Sequence, residues 1–254
     1  MAQGNVRGLA IPIAQEREIV IVEPPGRASI LAIAAHPDDI ESWCGGTLAL
    51  AIDNGSEVRL LLVTSGDKGT SDPAITQVEL AAQRESEARV AAATLGITEV
   101  AFLRHPDGEV EDTRDFRREL VSWIRRWRPE IVFTHDPEHP LPPYISHRDH
   151  RVVGRAVLDA VYPLARDPLN FPELLEYDLA PHAVRDVWLF ASSVADVYVD
   201  ISAGFDRKIA ARLAHVSQTS DPAALPPSWR ERSASIGMPA RLLLAEAFTA
   251  LQLD

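Results

Sequence analysis

The 254-residue sequence predicts an α/β fold in which a mostly parallel sheet carries helices on both faces. Short runs rich in Val, Ile and Leu alternate with longer segments of helical period from residue 29 to residue 134, and no two runs are joined by a two-residue hairpin turn. Hydrophobic residues are 46% of the chain and charged residues 24%, the balance of a soluble globular protein with one continuous core. A single domain over 1–254 is expected, with residues 1–27 as an N-terminal arm and the core in 28–250.

Residues 1–17 mix Gly, Pro and charge without a sustained period and read as a loosely tied arm. Glu18 to Glu23 is a candidate edge strand, broken by Pro24-Pro25-Gly26. Ser29 to Ala34 has the apolar run of a buried strand, Trp43 to Asp53 is a helix closed by Asn54-Gly55, and Glu57 to Thr64 is a second strand. After a loop at 65–70, a long helix over Ile75 to Leu95 stops at Gly96. Glu99 to Leu103 is a short strand, Thr113 to Trp127 a helix ended by Arg128-Pro129, and Ile131 to Thr134 a fourth strand. Asp136 to Ser146 carries Pro137, Pro140, Pro142 and Pro143 and must be irregular. Helix resumes near His147 and runs to Val161. The Pro-rich stretch from Arg166 to His182 is expected to cover one side of the carboxyl edge of the sheet. Asp186 to Ala191 and Val197 to Ile201 read as late strands, Gly204 to Val216 as a helix and Pro239 to Leu251 as a C-terminal helix.

The formal net charge of −12 opposes sequence-independent attraction to a phosphate backbone, so nucleic acid is not an expected partner. Cys44 is the only cysteine and cannot form an internal disulfide. No basic segment followed by an apolar one opens the chain, and no run of about 18 apolar residues spans a bilayer. A cytoplasmic protein without an integral membrane segment is the expectation.

Two polar clusters carry the chemistry. His36-Pro37-Asp38-Asp39 follows the first buried strand, and Ser146-His147-Arg148-Asp149-His150 opens a later helix. Ligands of open α/β sheets bind at the carboxyl ends of strands, which places both clusters on one side of the fold. His36 and Asp39 are three apart, as are His147 and His150, so each pair can face one way. A His-Asp-His set holds a divalent metal with one position left for water, whose pKa falls from 15.7 to roughly 7. Asp38 is placed to take the proton of that water as general base. The histidine of the second cluster that is not a ligand is the candidate for stabilising the oxyanion and protonating the leaving amine, oriented by a carboxylate such as Asp149.

Other residues read as structural. Gly45-Gly46 lacks the G-x-G-x-x-G spacing of a dinucleotide site, and 66–70 lacks that of a phosphate loop. Cys44 reads as a small buried thiol. His135 and His139 read as loop residues, His105 and His182 as surface or lid residues, and Lys208 as part of a packing helix. Trp123 and Trp127, four apart on one helix, read as packing against the sheet. Trp229 is the tryptophan best placed for a substrate or subunit contact.

The sequence resembles the LmbE-like family, which includes the N-acetylglucosaminyl-phosphatidylinositol de-N-acetylases and the deacetylases of mycothiol and bacillithiol synthesis. The resemblance runs over 28–250 and is carried by His36-Pro37-Asp38-Asp39-Ile40-Glu41 with Gly45-Gly46-Thr47, by Thr64 to Thr70, and by Arg84-Glu85-Ser86-Glu87 ahead of Ala92 to Gly96. It continues through Arg128 to Val132, His147-Arg148-Asp149-His150, and Asp200-Ile201 to His215-Val216-Ser217-Gln218. It implies a Rossmann-like fold and a zinc ion, Zn2+, held by His36, Asp39 and His150. It also implies Asp38 as general base, His147 as oxyanion stabiliser and acid, Asp149 as its orienting partner, and Arg84 and Asp107 as substrate-side residues. The implied substrate is a small N-acetylated sugar of the N-acetylglucosamine type, deacetylated by a zinc-dependent amide hydrolase. A thiol-conjugate amidase and a non-catalytic, metal-stabilised sugar-binding protein are the alternatives. Relatives form closed rings of subunits, which makes a homo-oligomer compatible with the Pro-rich loops. Two departures stand out: Arg148 replaces the family's usual proline, and Ile145 stands where the thiol-pathway branch has a tyrosine, with Tyr144 one place further away.

Overall fold

The structure, a computed structural model, describes residues 18–138 and 146–253. His139, Tyr144 and Ile145 lie outside the described residues. Eight strands form one sheet in the order β1-β7-β8-β6-β5-β2-β3-β4. They are β1 (Val20–Ile21), β2 (Ser29–Ala34), β3 (Glu57–Thr64), β4 (Glu99–His105), β5 (Ile131–His135), β6 (Asp186–Phe190), β7 (Val197–Asp200) and β8 (Ala245–Gln252). All neighbours pair in parallel except at β8, which runs antiparallel to both β6 and β7.

Strand side chains alternate between the two faces, and the core divides accordingly. Ile30, Ala32 and Ala34 of β2 join one apolar cluster, Leu31 and Ile33 the other. The first is covered by α2 (Gly45–Asp53), α3 (Gln77–Leu95) and α6 (Phe205–Leu213), the second by α4 (Arg114–Trp127) and α5 (Arg148–Asp159). Helices therefore sit on both faces, as the alternation predicts. The sheet grows from β2 through β3 to β4 on one side, then from β5 to β6 on the other. The reversal lies between β2 and β5, the position where such sheets open a crevice at their carboxyl ends.

Local rules explain most boundaries. Thr76 caps α3 in a reciprocal capping box with Glu79, and Gly96 ends the helix at φ +96°. The helix expected from Trp43 is two helices, α1 (Asp39–Trp43) and α2, broken at Cys44. Among the described residues no helix is long and apolar enough to cross a membrane.

Three expectations are corrected. The C-terminal helix over Pro239 to Leu251 is a short 3₁₀ turn, Met238–Ala240, followed by β8. Ala, Glu and Leu favour helix, but the open edges of β6 and β7 offer a full ladder on both sides, and burial overrides propensity. A helix not anticipated, α7 (Leu225–Gly237), carries Pro226-Pro227 in its first turn, where proline is tolerated. The Pro-rich stretch from Arg166 to His182 does not cover the carboxyl edge: His182 Nε2 is 2.7 Å from Pro129 O, before the amino end of β5. Buried Arg125 of α4 anchors this stretch by donating to five carbonyls between Leu164 and Phe171.

Candidate active site

The two polar clusters meet at the reversal of the sheet. His36 and Asp39 follow β2, while His147 caps α5 and His150 lies in its first turn. His36 Nδ1 is 3.2 Å from His150 Nε2 and 3.5 Å from Asp39 Oδ2, and His150 Nε2 is 3.1 Å from Asp39 Oδ1. Ligands arranged tetrahedrally at roughly 2.0–2.1 Å from a zinc-sized ion stand about 3.3 Å apart. The spacing and the donor chemistry of these residues therefore fit a divalent metal. Overlapping groups at the same place, His36 with His147 and His150, and Asp39 with His135 and His150, also bring their donor atoms within 4.8 Å of one another.

The surrounding bonds orient these donors. Asp39 Oδ2 accepts the His36 backbone N–H at 2.8 Å, which ties the ends of the turn together. On its outer side His36 Nε2 faces Asp107 Oδ1 at 3.1 Å and Asp149 Oδ2 at 3.4 Å, leaving Nδ1 toward Asp39 and His150. Asp149 Oδ2 also accepts the Gly108 N–H at 2.7 Å. The Asp149 carboxylate thus turns to His36, and His147 Nδ1 receives the Asp149 backbone N–H at 3.2 Å. That bond places the proton of a neutral His147 on Nε2. Arg148, in place of proline, donates to Val110 O at 2.5 Å and ties the 107–110 loop to α5.

Electrostatics follow from burial and these partners. Burial opposes ionisation of Asp39, but the imidazoles of His150 and His135 outweigh it and hold the carboxyl well below its usual range. Burial disfavours a charged His36, yet bonds to Asp107, Asp149 and Asp39 raise its pKa well above the usual value. Burial and the neighbouring Asp39 charge raise Asp38, with Arg84 and Arg212 opposing. His147 is lowered by burial and by His36.

Asp38 adopts a left-handed conformation at φ +92°. Its Oδ1 is 3.4 Å from Arg84 Nη2 and its Oδ2 3.3 Å from Arg212 Nη2. Arg84, expected on the substrate side, is only 3% exposed, and its guanidinium also donates to Gly66 O and Pro37 O. A Cβ on either Gly66 or Gly69 would come within 2.3 Å of that group. His36, Asp38, Asp39, Gly69, Arg84, Asp107, His147 and His150 line an open cleft of about 270 Å³.

Some contributors escaped sequence reasoning. His135, read as a loop residue, ends β5, is buried, and stacks on His150 with centroids 4.2 Å apart and planes at 16°. Its Nε2 accepts the Ala35 N–H at 3.1 Å. The signal available was position, since it ends β5, the strand directly beside β2, in the sheet's crevice. Arg212 carried no local signal; Glu41 and His215, which stand in the motifs of the resemblance but had no role assigned, form a fully buried pair at 3.2 Å. Trp229 is not in the cleft; its ring packs under Lys208 and Arg212. Cys44 is buried, and burial pushes its thiol well up.

The chain as a whole is similar to several known proteins. The sequence model of PIG-L, described as GlcNAc-PI de-N-acetylase, matches residues 31–161. Diacetylchitobiose deacetylase of Thermococcus kodakarensis is 35% identical over 74% of this chain and 69% of its own. The 1D-myo-inositol 2-acetamido-2-deoxy-alpha-D-glucopyranoside deacetylase of a Mycobacterium species is 26% identical over 75% of this chain and 74% of its own. The N,N'-diacetylchitobiose deacetylase from Pyrococcus horikoshii, solved with its inhibitor MPG, is 29% identical and superposes with a TM-score of 0.82, covering 89% of this chain and 84% of that one. With more than half its length matched and its closest-spaced polar residues gathered in one crevice, the chain belongs to the PIG-L family of N-deacetylases.

Proposed function

We propose that this protein is a zinc-dependent hydrolase that removes the acetyl group from a small N-acetylated sugar of the N-acetylglucosamine type. The observation that carries the reading is the convergence of His36 Nδ1, His150 Nε2 and the Asp39 carboxylate within 3.1–3.5 Å of one another beside Asp38. Zinc held by His36, Asp39 and His150 would supply Lewis acidity toward water and the amide carbonyl.

The side chains do the rest. Asp38 accepts the proton of the attacking water. His147, its Nδ1 occupied by a backbone N–H, offers Nε2–H to the developing oxyanion, and the proton that Asp38 takes from the water is the one passed on to the departing amine. Asp107 and Asp149 fix the ring of His36 from its outer nitrogen. Asp107 also lines the cleft, where its carboxylate is available to substrate hydroxyls. Arg84 holds Asp38 and the wall of the cleft.

The test is metal analysis of the purified protein with a fluorescamine screen for freed amine across N-acetylated sugars. Asp38→Asn is expected to retain zinc and lose about 100- to 10,000-fold in turnover, whereas Asp39→Ala loses the metal. A metal-loaded protein that frees no amine from any of these sugars, or an Asp38→Asn variant with parental turnover, refutes the reading.

A further inference from the structure

We propose that Arg212 is a positioning residue for the general base, the second of two guanidinium groups between which the Asp38 carboxylate is fixed. The inference rests on the assignment of Asp38 as base. Each oxygen of that carboxylate faces one cation: Oδ1 faces Arg84 Nη2 at 3.4 Å and Oδ2 faces Arg212 Nη2 at 3.3 Å. The two arginines come from different helices, α3 and the penultimate position of α6, so the carboxylate is held from opposite ends and cannot rotate without breaking a charge contact.

The backbone makes such restraint necessary. Asp38 has a positive φ, a conformation that persists in a non-glycine residue only where its surroundings over-determine it. Its carbonyl is pinned by the Ser42 N–H at 3.1 Å and the Ser42 hydroxyl at 2.7 Å, which fix the main chain and leave the side chain to the arginines. Arg212 is itself immobilised. It donates from Nη1 to Thr219 Oγ1 at 2.9 Å and from Nη2 to Gln218 O at 3.1 Å, and its guanidinium carbon lies 5.6 Å from the Trp229 ring centroid. Its side chain is 11% exposed. Trp229 and the 215–219 turn therefore act on the cleft indirectly, as the back wall of Arg212. Arg212 is not among the side chains that line the cleft; its contact with it runs through Asp38.

Steady-state kinetics of metal-loaded Arg212→Ala and Arg212→Lys, with zinc content measured on the same samples, test the proposal. Displacement of a reacting group by about 1 Å can cost about 100-fold. Arg212→Ala is expected to lose roughly 30-fold or more in kcat with KM within about threefold and zinc content unchanged. Ethylguanidinium added to Arg212→Ala is expected to restore part of the lost kcat, and Arg212→Lys to retain more activity than the alanine variant. Should Arg212→Ala not fold, Arg212→Gln is read in its place. Loss of zinc with activity, a rise in KM alone, or kcat within about threefold of the parent overturns the proposal. Asp38→Asn measured alongside separates the two claims. If it is active, the base assignment is at fault; if it is inactive while Arg212→Ala is active, only the role of Arg212 falls.

Discussion

Glu246→Gln is expected to lower the melting temperature by roughly 6–20 °C, because Glu246 serves two buried partners at once. Its Oε1 and Oε2 accept the Gly46 and Thr47 N–H groups at 3.0 and 2.7 Å, capping the first turn of α2 with a carboxylate. The same carboxylate pairs with Lys208, and the two side chains are 2% and 3% exposed. Glutamine keeps one acceptor oxygen but leaves the Lys208 cation buried without a counter-charge, with Ser42 O at 3.2 Å and the Trp229 ring as its other contacts. Removing one partner of a buried pair costs about 3–5 kcal/mol. For a domain of this size each kcal/mol moves the melting temperature by about 2–4 °C, which gives the range above. Thermal unfolding followed by circular dichroism on zinc-saturated protein reads it. Adding Lys208→Met should recover part of the loss, since the uncompensated charge is gone and one cap bond remains. A drop of less than about 3 °C for Glu246→Gln, or a double variant whose loss is the sum of the two single losses, would refute the reasoning.

Two further outcomes are expected. Glu85 is bonded by Arg104, with Ser65 and Arg89 adding to it against a smaller cost of burial, and its pKa falls from 4.5 to about 2. Its stabilisation is therefore complete above about pH 4.5 and is lost as pH falls through about 2; allowing for the exposure of Arg104, it amounts to about 2 kcal/mol. Urea unfolding between pH 5 and 3 should show a shallower loss of stability in Glu85→Gln than in the parent; parallel curves would discount the bond. Gly66→Ala and Gly69→Ala each place a methyl 2.3 Å from the Arg84 guanidinium, so both should lower kcat by about tenfold or more through displacement of Arg84. Gly66, at φ +64°, should cost about 1 kcal/mol more stability than Gly69; equal kcat in either variant and the parent would show that Arg84 does not depend on this loop.

Fold class and the core of the candidate site were legible because each depends on local pattern. The apolar runs of β2, β3 and β5 and the helical periods between them require no knowledge of what lies across the sheet. His36, Asp38 and Asp39 were legible because polar residues directly after a buried run have few structural uses other than ligand or cap, and His147 and His150 because the same three-residue spacing recurs at the opening of a later helix. Orientation was not legible. That Asp149 turns its carboxylate to His36 and only its N–H to His147 depends on where the 107–110 loop lies, and Gly108 supplies the bond that decides it. Arg212 was invisible for the same cause, since its partner is 174 positions away in sequence and the helix that carries it reads as ordinary packing.

The misreading of β8 has a mechanistic consequence beyond its own secondary structure. Ala245-Glu246-Ala247-Phe248 has strong helical propensity, and as a helix it would leave Glu246 on a surface where a glutamate is unremarkable. As a strand between β6 and β7 it places Ala245 and Phe248 in the core, and Glu246 against the first turn of α2. That helix starts one residue after α1, whose first residue is Asp39 and whose N-cap is Asp38. Lys208, one turn before Arg212 on α6, is the other partner of Glu246. Strand β8 therefore ties the start of α2 to α6, and Lys208 in turn bonds Ser42 O of α1, so the elements that deliver Asp38 and Arg212 to each other are joined through Glu246.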